Sequence, residues 1–259
     1  MSFPRFPEKV DSPALLTAVA QVAERRRRGV IPDIPPPHTL FFSYSADLLT
    51  HAARKQRGAR CAGFFGELFL FRRQGRQVGM AGNFGLGAPV TAVLLSEFAA
   101  WGVRRFIIVG QAGGLQPALP TGSVVLAAEA IRDEGTSYHY LPPAPAVRAD
   151  EQLTAACGTA LQAAFPTMSS GVTWTTDAPY RETEGEVARL QAEGVLTVEM
   201  EAAALFAVGE ALGVATAACL VVGDSLAHGR WQPAAAHAVR RRLRAVWQAL
   251  LPAAAEAGA

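Results

Sequence analysis

The sequence predicts an α/β fold: a central, largely parallel sheet covered by helices on both faces. Three observations carry this expectation. Strand-like apolar runs alternate with helical patterns over most of the chain. Half of the 259 residues are hydrophobic, enough for one large core. Polar or glycine-rich sequence follows four of the strands, at the carboxyl ends where open α/β sheets bind ligands.

Taken in order, Ser12 caps and Pro13 opens a helix through "ALLTAVAQVAERRRR" that stops at Gly29. The cations Arg25 to Arg28 complement the dipole at its end, and the run is too short for a nucleic-acid face. "GVIPDIPPPH" is a connector, so residues 1–38 are an N-terminal helix and linker within one domain spanning 1–259. "TLFFSYS" is the first core strand, and "GELFLFRRQGRQVGMAGN" gives two strands joined by a turn near Gly75. A helix from Pro89 to Trp101 precedes the strands "RRFIIVG" and "GSVVLAAEAI". A helix from Glu151 to Phe165, the strand "GVTWTT" and a short helix from Glu184 to Glu193 come next. The strand "LTVE", a helix from Ala202 to Leu212, the strand "VATAACLVV" and a helix from about Pro233 to Leu250 complete the pattern.

Composition narrows the function classes. With 24 basic and 22 acidic residues the net charge is +2, which gives no drive toward nucleic acid or membrane. The longest apolar run, Ala211 to Gly223, is too short to span a bilayer, and "MSFPRFPEKV" lacks the apolar core of a signal peptide. Cys61, Cys157 and Cys219 are odd in number and far apart. They show neither a disulfide framework nor metal spacing, so a cytoplasmic protein without a metal is expected.

The chemistry-bearing residues sit after strands. In "LTVEMEAAAL", Glu199 and Glu201 flank Met200 where a buried strand meets a helix. A helix N-terminus explains Glu201, but a carboxylate ending a buried strand needs a partner or a task. Paired carboxylates suit the two hydroxyls of a vicinal diol, and Met200 offers an apolar contact. "GQAGGL", Gly110 to Leu115, reads as an anion cradle or as a tight turn. "GNFGLGAPV", with Gly85, brings backbone close to a ligand or simply turns a strand into a helix. Asp224 in "VVGDSL" is a general acid facing a pocket or the cap of a short turn. Tyr180 and Arg181 stack on and hydrogen-bond a planar ring, or lie on a surface loop; His139 reads as structural. No serine elbow, HExxH or paired CxxC occurs.

Together, "NFGLGAP", "VGQAGGLQPALPTGSVVLAAEAIRDEGTSYHY", "TTDAPYRET", "VEMEAAALFAVGEALGV" and "VVGDSL", in this order, resemble the nucleoside phosphorylase superfamily. That superfamily contains uridine phosphorylases, hexameric-type purine nucleoside phosphorylases and methylthioadenosine nucleosidases. The resemblance covers about Thr39 to Leu226 and implies a three-layer α/β/α sandwich around a mixed, mostly parallel, twisted sheet. It implies cleavage of a nucleoside N-glycosidic bond without metal or organic cofactor. Glu199, Met200 and Glu201 would hold the ribose, and Tyr180, Arg181, Gln111, Ala112 and Gly113 the base. Asp224 would serve the leaving group, with Gly85 and Gln111 at the acceptor. A homo-oligomer, a dimer or trimer of dimers, is the implied assembly.

The departures concern the acceptor. Phosphorolytic members carry a "GDPxR" turn where this chain reads "SYSADLL", with Leu48 at the arginine position. Ile108 and Gln111 replace a further arginine and a threonine, so the usual phosphate ligands are missing. Asp47 falls about where nucleosidase members keep the carboxylate that activates water. Both acceptors, phosphate and water, stand as expectations.

Overall fold

The computed structural model describes residues 5–256; the outermost positions of the expected 1–259 domain, 1–4 and 257–259, lie outside the described residues. The chain runs α1 (Ala18–Arg27), β1 (Thr39–Ser43), α2 (Ala46–Lys55), β2 (Ala59–Cys61), β3 (Glu67–Arg73) and β4 (Arg76–Gly82). It continues through α3 (Ala88–Trp101), β5 (Arg105–Gly114), β6 (Val124–Asp133), β7 (Ala146–Arg148), α4 (Glu151–Ala164) and β8 (Ser169–Thr176). It ends with α5 (Glu184–Ala192), β9 (Thr197–Glu199), α6 (Ala202–Leu212), β10 (Ala215–Ser225), β11 (Gln232–Pro233) and α7 (Ala236–Ala255).

All these strands join one mixed sheet in the order β11-β10-β6-β8-β9-β5-β1-β4-β3-β2, with β7 on β6. The longest ladders, β5 with β10 and β6 with β8, are parallel. Because β5 also pairs with β10, the strands β10, β6, β8, β9 and β5 close into a ring. Side chains alternate with the period of a strand. Leu40, Phe42, Phe106 and Ile108 enter one core with α1, α3 and α6. Phe41, Ile107 and Val109 enter the other, with α2, α4 and α7. The result is the expected α/β/α layering.

Several boundaries move for identifiable reasons. Ser12 donates to Glu8 O and closes the preceding turn, so Thr17 caps α1 instead, accepting from Ala20 N–H at 3.1 Å. Arg25 reaches Glu97 at 2.7 Å, Arg26 the Trp101 carbonyl, and Arg27 and Arg28 pair with Glu24. The arginine run is therefore spent on tying down α1. Pro233 opens no helix: it pairs with Asp224 in the β10–β11 ladder. Helix α7 runs on through Pro252 to Ala255, where Arg105 donates to the Ala253 and Glu256 carbonyls and satisfies its end. "GQAGGL" is neither cradle nor turn. Gly110 to Gly114 are the extended end of β5, laddered to β10, with Gly113 and Gly114 also on β9. The segment "ADLLTHAARK" forms the helix α2, capped by Ser45.

Candidate active site

The register gathers the carboxylates at one edge of the sheet. Asp224 of β10 lies opposite Gly113 of β5, Gly113 opposite Val198 of β9, and Val198 opposite Trp174 of β8. Adjacent strands are ~4.8 Å apart, so Asp224 and the end of β9 stand roughly two spacings apart, ~10 Å. That is the reach of a planar base joined to a pentose. Glycine keeps the floor between them open. A Cβ on Gly113 would lie 2.9 Å from Val198 Cγ1 and within 3.9 Å of both Asp224 carboxylate oxygens.

The two acids of "VEME" have different surroundings. Glu199 Oε1 accepts from Thr175 Oγ1 at 2.5 Å, and its Oε2 from the N–H groups of Glu201 and Ala202 at 2.7 Å each. Both oxygens are engaged, so Glu199 caps α6 and fixes the backbone that carries Glu201. This resolves why a buried strand ends in a carboxylate. Glu201 Oε1 accepts from the N–H of Gly87 at 2.6 Å, at the N-terminus of α3. Gly87 has φ 96°, a conformation that L side chains avoid, and this aims its N–H.

Neither carboxylate has a cationic partner among the described residues. Burial pushes both upward, and the charge of Glu199 raises Glu201 further; Thr175 and the two N–H groups pull Glu199 back. Tyr44 lies in the same field, its phenol raised well up by burial first and Glu201 second. Thr91 Oγ1 donates to Gly87 O at 2.9 Å, so in the 2.6 Å contact with Tyr44 the phenol is the donor. Sequence reasoning missed Tyr44 and Thr91; the aromatic directly after the first strand was the available signal.

A folded carboxyl raised above its unfolded value contributes stability that is fully present below the unfolded pKa, ~4.3, and is lost as pH rises through the folded one. The thermal midpoint should therefore fall as pH rises from the ordinary carboxylate range through neutrality. Glu201→Gln should flatten that fall, which melting curves across pH would detect; an unchanged slope would place the titration elsewhere.

At the other end, a register shift between Val222 and Asp224 makes a bulge at Gly223. Bulges re-aim the following side chain. Asp224 Oδ2 accepts from the Trp231 indole N–H at 2.8 Å, and Trp231 is 65% exposed. Gln111 is exposed beside this bulge: a Cβ on Gly223 would sit 2.8 Å from its Oε1. Ala112 is buried next to Gly113 in β5, and Met200 is half-buried between the two glutamates. Tyr180 and Arg181 are exposed on a short turn, Pro179–Arg181, and Gly85 lies in the open loop before α3.

Asp47 is not brought into this cluster. The Arg244 guanidinium of α7 holds it at 2.5 and 2.9 Å and keeps its carboxyl below the usual range. It faces the helix layer opposite α3 and α6. Leu48 and Ile108 are core side chains, 0% and 1% exposed. A groove of about 1030 Å³ along α4 and β6 contains none of these acids. No group of three or more His, Cys, Asp or Glu is arranged to hold a metal among the described residues.

Residues 27–255 match the family described as the phosphorylase superfamily. Among curated proteins, the uridine phosphorylase of Treponema pallidum is 36% identical over 149 residues, 53% of this chain and 58% of that protein. The uridine phosphorylase of Haemophilus influenzae is 31% identical over 144 residues, 50% of this chain and 57% of that protein. That of Escherichia coli is 33% identical over 136 residues, 47% of this chain and 53% of that protein. The chain thus spans about half the length of the curated relatives it matches. Sheet, paired acids and family match agree, and the chain belongs to the phosphorylase superfamily.

Proposed function

We propose that the protein cleaves the N-glycosidic bond of a nucleoside and passes the sugar to water rather than to phosphate. One observation supports this above the others. Glu201 and Asp224 stand on either side of the Gly113 floor, and no guanidinium among the described residues pairs with either. A phosphate dianion binds best through charge-assisted hydrogen bonds. Arg132 is bonded to Ser137 and the Pro142 carbonyl, and Arg60 pairs with Glu67. Neither acid offers the dianion a cationic partner.

In this reading Glu201 accepts the ribose hydroxyls, Glu199 holds its backbone, and Met200 packs on the sugar. Asp224 lies at the leaving base, within reach of Gln111 and Gly113. Asp47, locked by Arg244, does not activate the water. The chemistry needs no metal or organic cofactor, and we place it in the cytoplasm. A homo-oligomer, dimer or trimer of dimers, is supported by the exposed apolar groove of Leu16, Val19, Val93 and Leu212. Phosphorolysis is the second reading, favoured by the names of the relatives; it requires arginines lent by another copy. A nucleoside panel incubated with and without phosphate tests the proposal. Release of free base without added phosphate is expected, and inertness toward every nucleoside would refute it.

No helix among the described residues is long and apolar enough to cross a membrane.

A further inference from the structure

We propose that the cavity walled by Pro35, Pro36 and Pro37, at the amino ends of β1 and β5, binds a small phosphate-bearing anion. It measures about 370 Å³, and His38, Arg72, Arg76 and Arg104 line it. It lies at the far edge of the sheet from the paired acids. From Arg105 to Gly113 β5 runs eight residues, ~26 Å at ~3.3 Å per residue. The inference therefore stands apart from the N-glycosidic reading above.

Three separate parts of the chain bring the cations together. Arg72 and Arg76 sit beside the turn of the β3–β4 hairpin, Arg104 directly precedes β5, and His38 directly precedes β1. The proline wall is fastened to β4. Gln77 Nε2 donates to the Pro35 carbonyl at 3.0 Å, and the His38 N–H donates to the Gln77 carbonyl at 2.7 Å. The cavity is thus formed without a ligand.

The cluster carries charge without counter-charge. No Asp or Glu lines the cavity, and Arg72, Arg76 and Arg104 make no ion pair among the described residues. Arg72 donates to the Gly75 carbonyl at 3.2 Å, and Arg104 to the Ala99 and Val103 carbonyls at 2.8 and 3.0 Å. Each uses one terminal nitrogen and leaves the rest of its donor fork open. Arg76 meets His38 Nδ1 at 3.5 Å, while His38 Nε2 lies 2.8 Å from the Glu256 carbonyl. A carbonyl only accepts, so Nε2 holds the proton and Nδ1 turns its lone pair to Arg76. Arg105, 3.2 Å from Nε2, donates to the same carbonyl. Burial first, and the charges of Arg105 and Arg76 after it, hold His38 below its ordinary range against the pull of that carbonyl. Arg76 is therefore oriented by a neutral ring, and its charge stays unbalanced.

Three guanidinium groups around one cavity repel each other until an anion enters. Phosphate oxygens match their forks, and a dianion balances more of the charge than a single carboxylate. The volume is at the low end for small-molecule sites, which suits pyrophosphate or a phosphoryl group on a pentose-sized body.

Calorimetric titration of the full chain with inorganic phosphate, pyrophosphate and ribose 5-phosphate, at about 0.15 M ionic strength, tests the assignment. Saturable one-to-one binding of at least one probe is expected, and the strongest of the three distinguishes a free phosphate from a phosphate ester. Arg72→Gln and Arg76→Gln should each weaken it by ~10-fold or more, with thermal midpoints matching the parent. Glu201→Gln should leave it unchanged. No saturable binding of any probe overturns the proposal. So does binding that both arginine variants retain and Glu201→Gln alters, which would put the anion at the catalytic edge.

Discussion

Asp224→Asn should lower kcat/KM on nucleosides by ~10²–10⁴-fold, the range for losing a positioned acid–base group. The bulge at Gly223 and the Trp231 bond fix the side chain, and asparagine keeps its shape without its charge. The loss should be greatest for poor leaving bases and least for an activated aryl riboside such as p-nitrophenyl β-ribofuranoside, whose leaving group needs no acid. Equal loss on nucleoside and aryl riboside would mean that Asp224 only positions.

Glu201→Gln carries the second large effect. A charged hydrogen bond contributes ~1.5–3 kcal/mol, so turnover should fall by at least ~10-fold. The amide oxygen of the substituted side chain can still accept from Gly87 N–H, which separates the loss from any disturbance of α3. Ribonucleosides should suffer more than 2′-deoxynucleosides, because only the former present both hydroxyls. Kinetics unchanged on the true substrate would remove Glu201 from the sugar site.

Residues whose meaning is local were legible in the sequence. Glu201 and Asp224 each follow a buried strand in a short polar stretch. Helices α3 and α6 were readable from their apolar patterns and from Gly102 and Gly213 just past their ends. What depends on distant chain was not legible. "GQAGGL" looks like a turn until β10 and β9 supply its hydrogen bonds on both sides. Asp47 looks available until Arg244, 197 residues later, closes on it. Glu199 reads as a sugar ligand until the fold places Thr175 and the α6 N-terminus against it.

The acceptor decides the central claim, and isotope-labelled water measures it most directly. The protein is incubated with its cleaved nucleoside in phosphate-free buffer containing ¹⁸O water, and the sugar product is weighed by mass spectrometry at early times. Free ribose carrying one ¹⁸O, formed at a rate that added phosphate does not change, is the predicted result. Strict dependence on phosphate, with unlabelled ribose 1-phosphate as product, would contradict it and assign the site to phosphorolysis.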